Sequence, residues 1–350
     1  MEAIAKIQAY LQEYDQQAIL ISHEANCTYF LDDSDFEGFL IITLDQQYIY
    51  TDGRFITSLQ ELEDTWTLID RKNQALPNWL QKHQLTQILI EPDFLTARTY
   101  QALQEQNLKL TDSHYLVEKI RMQKTASEVA KVQQAAQIAD QVFEHILPFI
   151  KPGIRETDLA AEMEFWGKKL GASGVSFPTI VASGTRSAMP HGSATSKKIA
   201  AHELVVLDFG FIYEGYDSDI TRTVAVGSVS PQLAEIYQIV RNCQMKVAAQ
   251  LHLGQSLAEI DILAHQLVDQ AGYGLEFMHG TGHGVGRECH EYPTINAQTS
   301  ELLKPNFTFT LEPGIYLPDL GGVRIEDDLY LDEQGQVNWL TQSSKEFQIL

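Results

Sequence analysis

Three histidines and four glycines lie in the segment from His279 to Pro293, H-G-T-G-H-G-V-G-R-E-C-H-E-Y-P. Histidines four residues apart could bind a metal from one helix face, but each glycine costs a helix about 1 kcal/mol relative to alanine. We therefore predict an extended segment whose glycines let neighbouring backbone come close. The helical zinc motif H-E-x-x-H is absent, because His290-Glu291 is followed by Tyr292-Pro293. Further metal ligands must come from elsewhere in the chain.

Two aspartates flank a predicted hairpin in E-L-V-V-L-D-F-G-F-I-Y-E-G-Y-D-S-D-I-T-R-T, residues 203–223. The apolar run before Asp208 predicts a buried strand, and Glu214-Gly215 predicts a two-residue turn. With that turn, Asp208 lies diagonally across from Asp219 on one sheet face, about 7–8 Å away. The pair could share a cation, or it could be an ordinary strand-end and turn pair. This segment alone leaves both interpretations open.

Two glutamates are predicted to form a similar pair near the end of the chain. N-F-T-F-T-L-E-P-G (306–314) predicts a half-buried strand that delivers Glu312 just before a Pro-Gly stop. In G-G-V-R-I-E-D-D-L-Y-L (321–331), Arg324 and Glu326 share a face. The intervening loop could form a hairpin that pairs Glu312 with Glu326. The alternative is a surface ion pair between Arg324 and a neighbouring acid, which stabilises little.

Together, these four carboxylates and one glycine-flanked histidine could bind two divalent cations, with two carboxylates bridging and one position open for water. Oxygen-rich ligation favours Mn²⁺, with Co²⁺, Fe²⁺ or Zn²⁺ as alternatives. Two cations roughly 3.5–4 Å apart can generate hydroxide near neutral pH and stabilise a tetrahedral intermediate. Such a site is suited to amide hydrolysis.

The elements that position these residues fall into two predicted domains, 1–117 and 118–350, as the length of 350 residues suggests. In the first, strands alternate with helices, which predicts an α/β layer with a partly parallel sheet. The predicted strands are 18–22, 38–43, 47–51, 66–70 and 87–91, and the predicted helices lie near 2–14, 54–63, 76–84 and 96–107.

The second predicted domain combines helices with antiparallel strands. Thr125 to Glu128 has the spacing of a capping box and precedes a helical run to about Ile150. A second helix is predicted near 156–170, ending at Gly171, and a helical passage near 231–271. Strands and glycine turns dominate the remainder from Ser176 onward.

Composition excludes some functions. A net charge of −22 opposes binding to nucleic acid or to an anionic membrane, and no apolar run approaches the ~20 residues of a membrane span. The first residues lack the pattern of a signal peptide, so a cytoplasmic protein is expected. Three distant cysteines, Cys27, Cys243 and Cys289, suggest no disulfide framework and are predicted to be buried, inert thiols.

Five motifs, in order, resemble those of the pita-bread metallopeptidases: D-F-G, S-D-I-T-R-T, G-T-G-H-G-V-G, E-P-G-I-Y and G-V-R-I-E-D-D. The nearest resemblance is to the Xaa-Pro aminopeptidases and Xaa-Pro dipeptidases. Y-T-D-G-R-F (50–55) also resembles their amino-terminal domain. The resemblance implies a creatinase-like α/β amino-terminal domain, an α+β pita-bread catalytic domain and a homodimer.

The resemblance also implies a role for each matching residue. The metal ligands would be Asp208, Asp219, His283, Glu312 and Glu326, with Asp219 and Glu326 bridging. The catalytic residues would be His191, His290 and Glu312, with Glu312 as general base. The residues lining or shaping the substrate site would be His279, Tyr316 and Arg324.

The function expected from these motifs is that of a Mn²⁺-dependent Xaa-Pro aminopeptidase, which removes the residue before proline from a peptide. The nearest alternative is an Xaa-Pro dipeptidase. A methionine aminopeptidase, a metal-free creatinase-like hydrolase and a non-catalytic binding protein are more remote. The chain departs from the family where a Thr-Gly-Phe turn is usual and it reads Y-F-L-D-D-S-D-F (29–36). That departure concerns the accepted peptide length and pocket detail rather than the metal chemistry.

Overall fold

A computed structural model describes residues 2–32 and 36–350 and divides into two compact units, Met1–Arg121 and Met122–Leu350. The boundary predicted between residues 117 and 118 lies a few residues earlier, inside the helix Leu116–Arg121. This helix belongs to the first unit because Leu116 and Val117 pack in its core. The family departure at 29–36 includes residues 33–35, which lie outside the described residues.

The amino-terminal unit is a six-stranded mixed sheet with helices on both faces, which confirms the predicted α/β fold. Alternate residues of one strand enter different cores, so Ile19 packs with Leu11 while Leu20 packs with Trp79. The strands are Ala18–Ile21, Phe39–Thr43, Gln47–Thr51, Thr67–Asp70, Gln87–Ile90 and Lys109–Asp112. The helices are Glu2–Glu13, Glu24–Leu31, Gly53–Ile56, Leu76–Lys82, Ala97–Gln104 and Leu116–Arg121.

Two elements of this unit do not follow from the apolar pattern. The helix Glu24–Leu31 buries Asn26 and Thr28 beside Cys27, so its sequence shows no regular apolar spacing. The strand Lys109–Asp112 lies at the edge of the sheet and contributes no fully buried residue. The helix predicted near 54–63 is instead the short helix Gly53–Ile56 and a 3-10 turn.

The second unit, Met122–Leu350, carries all of the predicted metal ligands, and we call it the catalytic unit. It combines four longer helices with short antiparallel sheets. Its α-helices are Ala126–Ile146, Glu156–Lys169, Pro231–Ala248 and Leu257–Gln270. Its strands are Gly174–Val175, Ile180–Ser183, Glu203–Phe209, Phe211–Tyr213, Tyr216–Asp217, Ile220–Val226, Gly282–Gly284, Glu291–Ile295, Thr308–Leu311, Gly314–Leu317, Gly321–Arg324, Asp327–Leu331 and Val337–Trp339. Short 3-10 helices cover Leu147–Phe149 and Gly184–Ala188.

The four helices form two pairs in chain order, and each pair covers one face of a sheet. The first two helices pack on the sheet that contains Glu203–Phe209, through residues such as Val205 and Leu207. The second pair packs on the sheet that contains Thr308–Leu311, through Phe309 and Leu311. Because side chains alternate along a strand, the other face of each sheet is free for polar groups.

The helix starts follow the predicted local signals, while one helical passage is divided. The Thr125 capping box is complete, since the Thr125 side chain accepts from the Glu128 amide and the Glu128 carboxylate accepts from the Thr125 amide. The passage predicted near 231–271 is two helices, because Gly254 takes a positive φ of 80° between them. No helix among residues 2–32 and 36–350 has both the length and the hydrophobicity needed to cross a bilayer.

Candidate metal centre and active site

The predicted aspartate hairpin is present. Glu214 and Gly215 have φ angles of 45° and 73°, as a two-residue turn of this kind requires. Strand Ile220–Val226 pairs with Glu203–Phe209 so that Asp208 lies opposite Thr221. Asp219 is therefore the diagonal neighbour of Asp208 on the same face, and both side chains are buried. That face is turned away from the helices packed on Val205 and Leu207.

The glutamates also meet as the predicted hairpin requires. Leu311 lies opposite Asp327 in one pair of strands and Gly314 lies opposite Arg324 in the next, so Glu312 faces Glu326. The strand before Glu312 is fully buried rather than half-buried, since Thr308 and Thr310 on its polar face are both 0% exposed.

A backbone hydrogen bond joins the two hairpins. The Glu326 amide donates to the Thr221 carbonyl over 3.1 Å, and the Thr221 hydroxyl donates to Glu326 Oε2 over 2.6 Å. Glu326 therefore lies where both carboxylate pairs meet.

His283 lies in a short strand between these hairpins, and its glycine neighbours explain the first motif. A Cβ on Gly282 would lie 2.0 Å from the Thr310 carbonyl oxygen, so no other residue fits without a backbone shift. His283 Nδ1 donates to the Gly284 carbonyl, which leaves the Nε2 lone pair directed inward. Nε2 lies 3.5 Å from Glu312 Oε1 and 3.8 Å from Asp219 Oδ2. Burial lowers the pKa of His283 to about 3, so the ring is neutral.

These five residues, which we call the metal cluster, fit divalent cations. Ligand atoms of Asp219, His283 and Glu326 all lie within 4.8 Å of one another. Asp208 Oδ1 and Asp219 Oδ1 are buried without a hydrogen-bond partner in the structure, an arrangement that is costly for an ionised carboxylate. Burial and then mutual repulsion raise the pKa of Asp219 and of Glu312 well above its ordinary value, and the pKa of Glu326 to about 8. Cations would offset that repulsion.

Arg324 orients two of the carboxylates. Its Nη2 atom lies 2.5 Å from Asp208 Oδ2, and its Nε atom donates to the Thr221 hydroxyl, which in turn donates to Glu326. The guanidinium is buried, so the alternative of a surface ion pair is wrong. Arg324 fixes one oxygen of Asp208 and leaves the other free for a cation.

Tyr316 and His279 lie on the far side of Arg324. The Tyr316 hydroxyl accepts from Arg324 Nη1 at 2.9 Å and lies 2.8 Å from His279 Nε2. His279 Nδ1 donates to the Gly280 carbonyl, and burial lowers the pKa of His279 to about 4. Tyr316 is 1% exposed and is not among the residues lining the adjacent cavity, which it adjoins through Arg324 and His279.

One cavity of about 450 Å³ brings the other predicted residues together. Its polar wall is formed by His191, Asp208, Asp219, His279, His283, His290, Glu312, Arg324 and Glu326. An apolar wall is formed by Phe177, Pro178, Ile180 and Pro190. The rings of His290 and His283 are 3.9 Å apart, and His191 is exposed on a loop at the cavity.

Sequence reasoning missed two contacts of the metal cluster. Thr221 links Arg324 to Glu326; it lies two residues after Asp219, and so on the same strand face. Cys289 is buried as expected, but it is not simply inert packing, because its thiol donates to Asp219 Oδ2 over 3.1 Å. No regular spacing relates Cys289 to Asp219, which lies 70 residues away along the chain.

The two hairpins bring together a group of residues that could hold divalent cations, and comparisons with known proteins specify the family. Residues 130–333 match the model of metallopeptidase family M24, and residues 4–123 match the creatinase/prolidase N-terminal domain. The chain therefore belongs to the M24 metallopeptidases, as the five motifs predicted.

Individual relatives span almost the whole chain. An uncharacterized peptidase, YqhT, from Bacillus subtilis (strain 168) is 39% identical over 95% of both chains. The structure of an Xaa-Pro dipeptidase from Bacillus anthracis is 38% identical, with a TM-score of 0.94 over 100% of this chain and 99% of that one. The X-Pro aminopeptidase from Thermotoga maritima MSB8 is 31% identical, with a TM-score of 0.85 over 96% and 98%. These findings identify the chain as an M24 peptidase acting on Xaa-Pro bonds.

Proposed function

We propose that this protein is a two-cation exopeptidase that cleaves the Xaa-Pro bond at the amino terminus of short peptides. The observation that carries the proposal is the metal cluster, four carboxylates and one neutral histidine on the wall of a single cavity. Asp208, Asp219, His283, Glu312 and Glu326 would hold the cations, with Asp219 and Glu326 shared. Oxygen donors outnumber nitrogen donors, which supports Mn²⁺, with Co²⁺ or Zn²⁺ as alternatives.

The bound cations would supply Lewis-acid activation of water and of the scissile carbonyl. Glu312 presents Oε1 toward His283 and Oε2 toward His279, at 3.5 and 3.9 Å. In our proposal, Glu312 accepts the proton of the attacking water. His290 and His191 stabilise the oxyanion and assist the departing proline nitrogen. Burial lowers the pKa of His290, so its ring enters the reaction neutral.

The proline nitrogen explains why such a site is needed. It carries no N–H, and its ring fixes φ near about −65°, so an enzyme that grips the scissile N–H cannot hold this bond. The apolar wall of Phe177, Pro178 and Ile180 next to His191 is suited to the proline ring.

Two substrate lengths are supported by different observations. Among the described residues that line the cavity, Arg324 is the single Lys or Arg, and its guanidinium is bound to Asp208. A dipeptide would need a cationic group for its carboxylate, so the cavity favours an Xaa-Pro aminopeptidase acting on longer peptides. The similarity to the Bacillus anthracis Xaa-Pro dipeptidase supports the second candidate, a dipeptidase.

The test compares the hydrolysis of an Xaa-Pro dipeptide with that of an Xaa-Pro-Xaa tripeptide. Both peptides have the same first residue, and both assays contain added Mn²⁺. Cleavage of the tripeptide at the Xaa-Pro bond supports the aminopeptidase, and cleavage of the dipeptide alone supports the second candidate. Asp208→Ala serves as the inactive control, because it removes a cation ligand without altering the apolar wall. Unchanged turnover by Asp208→Ala would end the metallopeptidase proposal itself.

We further propose a cytoplasmic homodimer. Three buried, unpaired cysteines among the described residues are consistent with a reducing compartment. Sedimentation equilibrium tests the dimer, and metal analysis of protein purified without chelator tests the resident cation. A monomeric mass at micromolar concentration would contradict the dimer without affecting the metal cluster.

A further inference from the structure

The loop of residues 184–194, which we call the His191 loop, carries a proposed catalytic histidine outside any strand, and one isolated β-bridge between Ser193 and Ile180 joins it to the sheet. It follows strand Ile180–Ser183, begins with the 3-10 helix Gly184–Ala188 and then has no regular structure around His191. A catalytic side chain must be held to within fractions of an ångström, so other contacts must fix this loop.

Both ends of the His191 loop bind the same carboxylate. Glu156 Oε1 accepts from the Ser183 amide and hydroxyl, each at 2.8 Å. Glu156 Oε2 accepts from the Thr195 amide at 3.1 Å and the Thr195 hydroxyl at 2.7 Å. Glu156 is 0% exposed and does not line the cavity, so it cannot touch substrate.

Arg186 adds a contact between Glu156 and the interior of the His191 loop. Its Nη1 atom donates to Glu156 Oε2 at 2.7 Å, and its Nη2 atom donates to the Ser193 carbonyl at 2.8 Å. On the other side of His191, Arg324 Nη1 donates to the Pro190 carbonyl at 3.1 Å. The backbone next to His191 is therefore held from two directions.

We propose that Glu156 is a positioning residue for His191, because its carboxylate joins the two ends of the His191 loop and anchors Arg186. This inference rests on the proposed catalytic role of His191. Glu156 begins the helix Glu156–Lys169, whose Leu159 and Met163 pack in a core, so the carboxylate is attached to a rigid element. The loop is thereby tied to the body of the catalytic unit.

The donors around Glu156 require an ionised carboxylate. Burial acts to raise its pKa, but hydrogen bonds from Thr195 and Ser183 hold the pKa of Glu156 below its ordinary value. A glutamine of the same shape would turn an NH₂ group toward one of these sets of donors, because an amide has one acceptor oxygen. Glu156→Gln therefore loosens one end of the loop without changing side-chain volume.

The test is a double-mutant cycle of Glu156→Gln and His191→Ala. Glu156→Gln alone is expected to lower kcat about ten- to a hundredfold, as a misplaced catalytic group does. KM from steady-state kinetics should change less than threefold. The Mn²⁺ affinity, measured by titration calorimetry, should also change less than threefold. In the His191→Ala background, Glu156→Gln should have little further effect on kcat. The matched control is Glu128→Gln, which alters a helix-start carboxylate outside the cavity and should leave kcat unchanged.

The outcomes separate the inference from the function on which it rests. Unchanged kcat in His191→Ala would contradict the role of His191, whatever Glu156 does. An equal loss of kcat from Glu156→Gln in both backgrounds, or a parallel loss of Mn²⁺ affinity, would overturn the positioning role. If Glu156→Gln does not fold, Ser183→Ala and Thr195→Val enter the same cycle, since each removes one hydroxyl donor. Additive losses from these variants would overturn the inference equally.

Discussion

A single buried acid, Asp327, lies next to the metal cluster in the catalytic unit, and its partners differ from those of the cluster's carboxylates. Asp327 accepts from Arg222 Nη2 at 2.6 Å, Thr341 Oγ1 at 2.8 Å and Gln244 Nε2 at 2.9 Å, with Lys345 Nζ at 3.2 Å. We call these five residues the anchor network. In the metal cluster, by contrast, buried oxygens of Asp208 and Asp219 have no hydrogen-bond partner in the structure.

The difference shows where each group obtains its positive charge. The chain itself supplies two cationic side chains to Asp327, so the charge of this carboxylate is balanced within the folded protein, although Arg222 Nε and Gln244 Oε1 are buried without a hydrogen-bond partner. Among residues 2–32 and 36–350, Arg324 is the single Lys or Arg side chain that pairs with the four carboxylates of the metal cluster, and the histidine of the cluster is neutral. In the metal-free protein, protons can neutralise part of this charge, and cations from solution would replace them, which is the physical reason for the proposed cation site.

The largest expected effect comes from breaking the metal cluster with Asp219→Asn. The amide keeps the volume but removes the charge that two cations would share. A cation centre contributes several kcal/mol to transition-state stabilisation, so kcat/KM should fall at least about a thousandfold. Steady-state kinetics with an Xaa-Pro peptide measures this loss.

Because repulsion between carboxylates in the metal cluster is relieved, the metal-free Asp219→Asn variant should melt at or above the melting temperature of the metal-free wild type. A lower melting temperature would contradict that account.

The same substitution in the anchor network should affect stability instead. Asp327→Asn leaves the buried Arg222 and the partly buried Lys345 without their carboxylate, which costs about 3–5 kcal/mol of unfolding free energy. Urea unfolding measures this value. At a temperature where the variant is folded, Mn²⁺ affinity should stay within a few fold of the wild type. A hundredfold loss of Mn²⁺ affinity with normal stability would erase the distinction between the two groups.

Much of the metal cluster could be predicted from the sequence, because its hairpins are local. The Glu214-Gly215 turn sets the register of Asp208 and Asp219, and strand alternation delivers Glu312. The hydrogen bond between Glu326 and Thr221 joins segments 105 residues apart, and no local pattern encodes it. For that reason the local patterns gave two separate carboxylate pairs, and their union in one site was inferred from their shared chemistry and then from the family resemblance.

The supporting residues were harder to predict, since hydrogen bonding rather than spacing defines their roles. Tyr316 follows the E-P-G motif and was expected near substrate, yet its hydroxyl is turned toward Arg324 and His279. In the sequence, Glu156 is an acid at the start of a predicted helix, a position that such residues often occupy. Its five donors come from residues 183–195 and are recognisable only once the chain is folded.

A pH experiment sharpens the comparison without changing the cluster's composition. In the metal-free protein, burial and then the Asp208 charge raise the pKa of Glu326 to about 8, against an ordinary value of 4.5. The folded state thus binds the proton more tightly than the unfolded state. The contribution of protonated Glu326 to the free energy of unfolding is fully present below about pH 4.5 and is lost as the pH rises through 8.

The melting temperature of the metal-free protein should therefore fall between pH 5 and 8, and Glu326→Gln should make that fall shallower. Saturating Mn²⁺ should also flatten the dependence, because the cation replaces the proton. Differential scanning calorimetry with and without chelator measures both effects. An equal slope in wild type and Glu326→Gln would assign the pH dependence to other groups.

The smallest expected effect concerns Cys289, which contacts the metal cluster through Asp219. Its thiol donates to Asp219 Oδ2, and a carboxylate oxygen that binds a cation still has a second lone pair for this hydrogen bond. Cys289→Val keeps an apolar side chain of similar size and removes the donor, whereas Cys289→Ser retains a donor. A thiol is a weak donor, so a loss of about 1 kcal/mol, roughly fivefold in Mn²⁺ affinity, is expected for Cys289→Val. Titration calorimetry should place Cys289→Ser closer to the wild type than Cys289→Val. Equal affinities for all three proteins would mean that Asp219 is held by its backbone alone, and the thiol would then be simple packing.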